Sequence, residues 1–249
     1  LTSPRPIIAG NWKMHGLEEN LDEVRAIAAA VDAHPPAARI AIFPPATLIS
    51  RMAELLAGSS VAVGGQDCRA ESCGAFTGDL SAEMLADAGA SLVILGHSER
   101  RGGHAEDDAL IRAKIEGALR GGLEPIVCVG ESEDQRNAGD AVEVVTRQLT
   151  RCLPPVLETC AFAVAYEPVW AIGSGRTATI GDIEQMHAAI RDCLARDLGA
   201  SGAQAPILYG GSVKPANAAA ILAAREVGGA LVGGASLEAK SFIAIMRAM

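Results

Sequence analysis

Three residues able to do acid–base chemistry close three apolar runs of this chain. Lys13 follows Pro6–Trp12, His97 lies near the end of Leu92–Ser98, and Glu167 lies near the end of Phe162–Pro168. A partly desolvated carboxylate is a suitable base for a carbon-bound proton. A neutral imidazole can hydrogen-bond a carbonyl oxygen and shuttle protons, and an ammonium can stabilise the oxyanion that forms. Two further runs end in glycine turns, Gly210-Gly211-Ser212 and Gly233-Gly234. Glycine lets backbone N–H groups approach an anion, and a helix start at Ala235-Ser236-Leu237-Glu238 would add partial positive charge. Base, imidazole, ammonium and anion cradle together fit proton abstraction next to a carbonyl in a phosphorylated sugar. Taken singly, each has a duller reading: Glu167 as a surface cap, His97 as a packing residue, Lys13 as a solvated end, the glycines as tight turns. What decides is whether the fold brings them together.

Eight apolar runs recur along the chain: Pro6–Trp12, Arg39–Pro45, Ser60–Asp67, Leu92–Ser98, Glu124–Glu131, Phe162–Pro168, Pro206–Ser212 and Gly229–Ala235. Most are rich in Val, Ile or Leu without alternation, as in strands buried on both faces. Helical patterns lie between them. Ile111, Ile115 and Leu119 repeat every four residues until Gly121-Gly122 stops them. Asp182 with Gln185 reads as an N-cap and its capping-box partner, ahead of Ile183, Met186, Ile190 and Leu194 on one face. Pro215 suits a first helical turn. Strands alternating with helices imply parallel pairing through crossovers. Eight such units in 249 residues predict an α/β fold, a single (β/α)8 barrel spanning 1–249 as one catalytic domain. An open doubly wound sheet is the alternative that the pattern leaves. In a barrel the functional face is the C-terminal end of the strands, where the residues above stand.

Composition narrows the function classes. Apolar residues make up 49% and charged residues 20%, so a large core is available and global disorder is excluded. Only eight residues are aromatic, so that core must be aliphatic. A net charge of −9 argues against nucleic acid or an anionic membrane as partner, and any anionic ligand must be held by a local field. No stretch reaches the ~18 uninterrupted apolar residues of a membrane span, and no signal-like run opens the sequence. The six cysteines form no C-x-x-C pair, so neither a metal site nor a disulfide framework is expected, and the chain reads as cytoplasmic. A Schiff-base aldolase wants a buried Lys on a late strand, but Lys114 and Lys240 fall on helical patterns and Lys214 precedes Pro215. A metal-dependent aldolase wants several His at strand ends, and only His97 stands there. No serine nucleophile elbow or Walker-type loop occurs.

Five motifs in order then resemble the triosephosphate isomerase family. They are Ala9-Gly10-Asn11-Trp12-Lys13-Met14, Gly96-His97-Ser98-Glu99-Arg100-Arg101, Tyr166-Glu167-Pro168-Val169-Trp170-Ala171-Ile172-Gly173, Tyr209-Gly210-Gly211-Ser212 and Leu231-Val232-Gly233-Gly234-Ala235-Ser236. The resemblance covers the whole chain. It implies interconversion of dihydroxyacetone phosphate and glyceraldehyde 3-phosphate through an enediolate, without a cofactor, as a step of glycolysis and gluconeogenesis. It implies Glu167 as the base, His97 as the electrophile and proton shuttle, and Lys13 as the electrostatic stabiliser. Asn11 contacts substrate, and Gly173, Ser212, Gly233 and Gly234 take the phosphate. Ser98 and Glu99 support the site by starting a short helix beside His97; the family is itself a well-known instance of a neutral imidazole tuned in this way.

The resemblance also implies a lid over Pro168, Val169, Trp170, Ala171, Ile172, Gly173, Ser174 and Gly175. It implies a homodimer with Met14, His15 and Thr77 at the interface, where the long polar loop Gln66–Asp79 enters the partner subunit beside its site. Four positions depart from the usual pattern: Ser174 for Thr, Asp79 for Glu, His15 for Asn, and Gly228 where an acidic residue often precedes the last strand. The last puts an internal ion pair in question. A non-catalytic phosphometabolite-binding protein on the same fold is the alternative, but a binder has no need of a base. A barrel isomerase acting on a related phosphorylated sugar is a third reading.

Overall fold

A computed structural model describes residues 5–172 and 177–249. The eight strands are β1 Ile7–Asn11, β2 Arg39–Phe43, β3 Ala62–Gly65, β4 Leu92–Leu95, β5 Glu124–Val129, β6 Ala163–Tyr166, β7 Ile207–Tyr209 and β8 Gly229–Val232. They pair in sequence order, all parallel, and β8 returns to β1 with Ile8 opposite Ala230. The sheet is therefore a closed (β/α)8 barrel, not an open doubly wound sheet. Each strand is shorter than its apolar run. The surplus residues lie in the loops at the strand ends, and apolar composition cannot distinguish the two. At β4 the cause is local: Gly96 takes φ +69°, which turns the chain out of the ladder before His97.

The lack of alternation has a simple origin. One set of strand side chains fills the barrel interior, including Ile7, Ala9, Phe43, Leu92, Ile94, Ile126 and Leu208. Their neighbours, among them Ile8, Ile42, Val93, Leu95, Val127 and Val164, face outward into the layer shared with the helices. Both sets are buried. The interior holds one large ring, Phe43, because Gly64 has no side chain: a Cβ there would stand 2.2 Å from the ring.

The helices are α1 Leu21–Ala33, α2 Ile49–Leu55, α3 Ala82–Asp87, α4 Ser98–Gly103, α5 Asp108–Arg120, α6 Glu133–Asn137, α7 Ala141–Cys152, α8 Ile180–Gln204, α9 Pro215–Leu222 and α10 Ala239–Met246. α5 buries Ile111 and Ile115 and stops at Gly121, with Gly122 at φ +78°. α9 opens on Pro215 as expected. The cap of α8 differs from expectation. Thr179, not Asp182, is the N-cap: its hydroxyl accepts the Asp182 N–H at 3.1 Å while the Asp182 carboxylate accepts the Thr179 N–H at 3.0 Å. The reciprocal box forms one turn earlier because Thr179-x-x-Asp182 satisfies both orphan donors, and Asp182 is also engaged by Arg136. Ile183, Met186, Ile190 and Leu194 are buried on one face. The helix is broken at Gly199, φ +56°. No helix among the described residues is long and apolar enough to cross a membrane.

Gly228 itself offers no carboxylate before β8, but an acidic residue nearby does make an ion pair. Arg191 Nε meets Glu226 at 2.9 Å, two residues upstream, with Glu226 in the left-handed region at φ +64°. The Glu226 carbonyl lies 3.1 Å from His187 Nδ1 on α8, and the His187 ring stands edge-on to Tyr166. Burial pushes the His187 imidazole down from its ordinary 6.5 to about 4. The unfolded chain thus binds a proton, between those values, that the native chain does not. Stability contributed by this site is present above pH 6.5 and is lost as pH falls toward 4, at about 1.4 kcal/mol per pH unit. Urea unfolding of the wild type should lose about 2 kcal/mol between pH 6.5 and pH 5 from this group. His187→Gln should remove that share of the acid slope. An unchanged slope in the variant would exclude His187 as its source.

Candidate active site

The sequence carries its candidate residues into one opening, at the C-terminal ends of the strands. A cavity of about 410 Å³ there is lined by Asn11, Lys13, His97, Glu99, Glu167, Ile172, Ser212, Lys214, Gly233 and Gly234, among others. That size suits a small metabolite.

Lys13 leaves β1 through a strained turn, with φ +55°. The left-handed region costs a non-glycine residue roughly 1–2 kcal/mol. Two hydrogen bonds hold it there: the Lys13 N–H donates to Asn11 Oδ1 at 3.0 Å, and Gln66 Nε2 donates to the Lys13 carbonyl at 2.8 Å. The ammonium meets the Glu99 carboxylate at 2.5 Å.

His97 is the N-cap of α4, and its Nδ1 accepts the Glu99 N–H at 3.2 Å. An accepting Nδ1 carries no proton, so the neutral ring bears its hydrogen on Nε2. Nε2 faces Glu167 Oε1 at 2.9 Å. Glycine suits position 96, since its φ is positive and a Cβ would stand 3.0 Å from Ile111 and 3.2 Å from the Cys128 carbonyl.

Glu167 follows β6 and is only 2% exposed. The Ser98 N–H donates to its Oε2 at 2.9 Å, and the Ser98 hydroxyl donates to Oε1 at 3.4 Å. Its backbone N–H donates to the Val129 carbonyl at 2.8 Å. Two glycines make room for it. A Cβ on Gly130 would lie 1.8 Å from the Glu167 carbonyl oxygen, and one on Gly210 would lie 2.9 Å from its Cγ. Burial and the neighbouring Glu167 carboxylate push the Cys128 thiol well up, which keeps it a neutral side chain.

Beyond Glu167 the chain makes a tight helical turn over Val169–Ala171, initiated by Pro168. The turn is fixed from outside, because Trp170 Nε1 donates to Glu131 Oε1 at 2.8 Å and the Val169 N–H donates to the Glu131 carbonyl at 3.2 Å. Tyr166 donates its hydroxyl to the same carboxylate oxygen at 3.1 Å, and Arg136 approaches it at 3.1 Å. Ile172 reaches the cavity wall. The expected lid residues Gly173, Ser174 and Gly175 lie outside the described residues.

The glycine turns form the far wall. Ser236 Oγ donates to the Gly233 carbonyl at 2.7 Å, and Trp12 Nε1 donates to the Ser236 carbonyl at 3.1 Å, so the turn after β8 is braced from β1. Gly234–Ser236 forms a short helical turn where a helix start was expected. Met14, His15 and Thr77 are all exposed outside the cavity, Met14 at 93%. The loop that carries Thr77 is stiffened by Arg69, which pairs with Glu71 at 2.9 Å and Asp79 at 2.7 Å and lies 3.7 Å above the centre of the Phe76 ring.

Three contributors were not anticipated. Glu131 closes the fifth apolar run, so its position was a visible signal. Lys214 lines the cavity although its sequence suggested only a helix start. Gly130 gives no sequence signal, because its necessity comes from a chain segment that crosses it. Among the described residues no group of His, Cys, Asp or Glu could hold a metal ion.

A closed parallel barrel with a carboxylate, an imidazole and an ammonium at its C-terminal mouth, beside glycine turns after β7 and β8, places this chain among the (β/α)8 barrel proteins. The family model described as triosephosphate isomerase matches residues 6–249. A triosephosphate isomerase of Caulobacter vibrioides is 60% identical over 248 residues, covering 100% of this chain and 98% of that protein. One from Afipia carboxidovorans is 56% identical, covering 98% and 97%. The crystal structure of triosephosphate isomerase from Bartonella henselae superposes with a TM-score of 0.90 at 45% identity, covering 98% of each chain. The chain belongs to the triosephosphate isomerase family.

The glycine contacts around Glu167 are testable by stability alone. Gly130→Ala should destabilise the protein by about 1–3 kcal/mol, since overpacking against backbone cannot relax cheaply. Gly234→Ala, with nothing within 4 Å of the added carbon, should stay within about 0.5 kcal/mol of wild type. Equal denaturation midpoints for the two variants would contradict the close approach at Gly130.

Proposed function

We propose that this chain interconverts dihydroxyacetone phosphate and D-glyceraldehyde 3-phosphate by proton transfer through an enediolate, with Glu167 as the base. The observation that carries this reading is the 2.9 Å approach of Glu167 Oε1 to His97 Nε2 at a cavity that Lys13 also lines. Glu167 removes a proton from the carbon beside the carbonyl. To do so it gives up its bonds to Ser98 and His97 and turns into the cavity. The His97 Nε2–H is then free to donate to the carbonyl oxygen and to move protons between the two oxygens of the enediolate. Lys13 stabilises the negative charge that develops. Asn11 contacts substrate and holds the Lys13 turn. Ser212, Gly233 and Gly234, with Gly173, take the phosphate through backbone N–H groups. Ser98 and Glu99 position Glu167 and Lys13. The segment Pro168–Gly175 closes over the bound intermediate and excludes water. No cofactor takes part. A non-catalytic phosphometabolite-binding role is the weaker reading, because binding alone does not call for a buried carboxylate against an imidazole.

The working form in this proposal is a homodimer in the cytoplasm. The exposed Met14 and the stiffened loop with Phe76 and Thr77 support it. So does a second cavity of about 510 Å³ that runs between that loop and Lys13, Met14 and Arg100, with room for the tip of a partner's loop.

A coupled assay with glyceraldehyde 3-phosphate tests the reaction. Glu167→Asp retracts the carboxylate by about one bond, and a misplacement of ~1 Å can cost on the order of 10²-fold in rate. We expect kcat to fall by that order with KM little changed. Near-wild-type turnover would remove Glu167 as the base. Assembly is tested separately. Replacing Phe76–Gly78 with a Gly-Ser turn should give a folded monomer with a large loss of activity. Sedimentation and assay are run on the same sample, and a fully active monomer would refute the dimer requirement.

A further inference from the structure

The pair Arg100-Arg101 follows the His97 motif, and its two members point to different work. Arg100 turns to Asp67 and Glu106 on the loop side. Arg101 goes beneath the barrel mouth. Its Nε donates to the Gly96 carbonyl at 2.9 Å and its Nη2 donates to the Cys128 carbonyl at 3.3 Å. The first carbonyl belongs to the peptide that carries the His97 N–H. The second sits one residue before Val129, whose own carbonyl accepts the Glu167 N–H. One guanidinium therefore ties the ends of β4 and β5 directly under His97 and Glu167. From outside, Asp108 at the start of α5 holds Nη1 at 2.8 Å, and Cys152 at the end of α7 lies 3.4 Å from Nη2. The side chain is 17% exposed.

We infer that Arg101 is a positioning residue for the proposed reaction, setting the separation of His97 and Glu167 through the Gly96 and Cys128 carbonyls. It rests on the functional reading above, and it touches neither substrate nor the reacting atoms. The left-handed turn at Gly96 has no side chain of its own to fix it. The guanidinium holds the plane of the peptide that follows. Its planar fork suits several acceptors at once, which a lysine ammonium on a flexible stem does not reproduce. Among the described residues its hydrogen bonds go to Gly96, Asp108, Cys128 and Cys152 and not to the turns after β7 and β8, so its loss should act on turnover rather than binding.

The test compares Arg101→Lys, which keeps the charge, and Asp108→Asn, which loosens the brace from the helix layer. Each is checked for native circular dichroism and assayed for kcat and KM, and ¹⁵N-labelled histidine reports the His97 imidazole nitrogens. A shift of a fraction of an ångström at the reacting groups should cost on the order of tenfold in kcat for Arg101→Lys and a few-fold for Asp108→Asn, with KM nearly constant. The His97 nitrogens should lose the wild-type pattern of an accepting Nδ1 and a protonated Nε2. If Arg101→Lys does not fold, Asp108→Asn decides alone. Folded variants with wild-type kcat and unchanged His97 nitrogens, whatever their melting temperature, would overturn the proposal and leave Arg101 a purely structural brace. If the wild type fails to isomerise triose phosphates, the functional reading falls, while the nitrogen signals still decide whether Arg101 positions His97.

Discussion

The arrangement at the barrel mouth turns on placing a carboxylate where water barely reaches it while keeping it able to move. Glu167 is surrounded by two glycines, a histidine and a thiol. Burying such a group without donors would cost several kcal/mol. Here the donors are supplied by the start of α4: the Ser98 N–H, the Ser98 hydroxyl and His97 Nε2 all point at the two carboxylate oxygens. The N-terminus of α4 serves Glu167 and His97 together, since the next N–H, that of Glu99, fills His97 Nδ1. Everything that places α4 relative to β6 therefore bears on this contact. The closed sheet does so first, because β4 and β6 both pair with β5 and the closed ring leaves neither an edge at which to shift.

The barrel keeps that geometry by being filled on both sides of every strand. The interior is aliphatic and small, with Ala9, Ala41, Ala163 and Ala165 allowing the strands to close around one ring. The strain stored at Lys13 is local and has local support, from Asn11 on its own strand and from Gln66 on the loop after β3. Residues held at unfavourable backbone angles persist where their surroundings over-determine them. At Lys13 the surroundings are the end of its own strand and the loop after β3.

The strands were legible in the sequence because a residue buried on both faces leaves an apolar run with no alternation. The strand ends were less so, since Trp12 and Pro45 are as apolar as the ladder residues before them. The chemistry was legible at Lys13, His97 and Glu167 because charged or polar residues closing an apolar run are conspicuous. Glu131 stands in the same kind of position, but a lone carboxylate suggests no reaction. The cap of α8 is ambiguous in the sequence, since both Thr179 and Asp182 have capping side chains and only the reciprocal bonds choose between them. Gly130 and the tautomer of His97 were beyond reach. Each depends on a contact between segments that sequence spacing does not bring together.

A last distinction is between charges that the fold holds fixed and charges that it leaves free to exchange. Lys114 lies buried against Asp67 at 2.8 Å and Glu106 at 2.6 Å, with Arg100 bonded to both acids. Removing one member would strand a buried charge at a cost of about 3–5 kcal/mol, so this cluster does not rearrange in use. The pair Lys13–Glu99 is different. Its side chains are 30% and 55% exposed, and an exposed pair contributes about 0–1 kcal/mol. An entering anion can take over the Lys13 ammonium at little cost, even in a chain of net charge −9. The bonds from Ser98 and His97 to Glu167 are likewise single hydrogen bonds, each worth about 1.5–3 kcal/mol when the acceptor is charged. The fixed cluster holds α4 through Arg100, and the exchangeable bonds are made by Glu99, Ser98 and the N-cap His97 at its first turn. That division lets the proposed base and cation change partners during a turnover while the helix that aims them stays where it is.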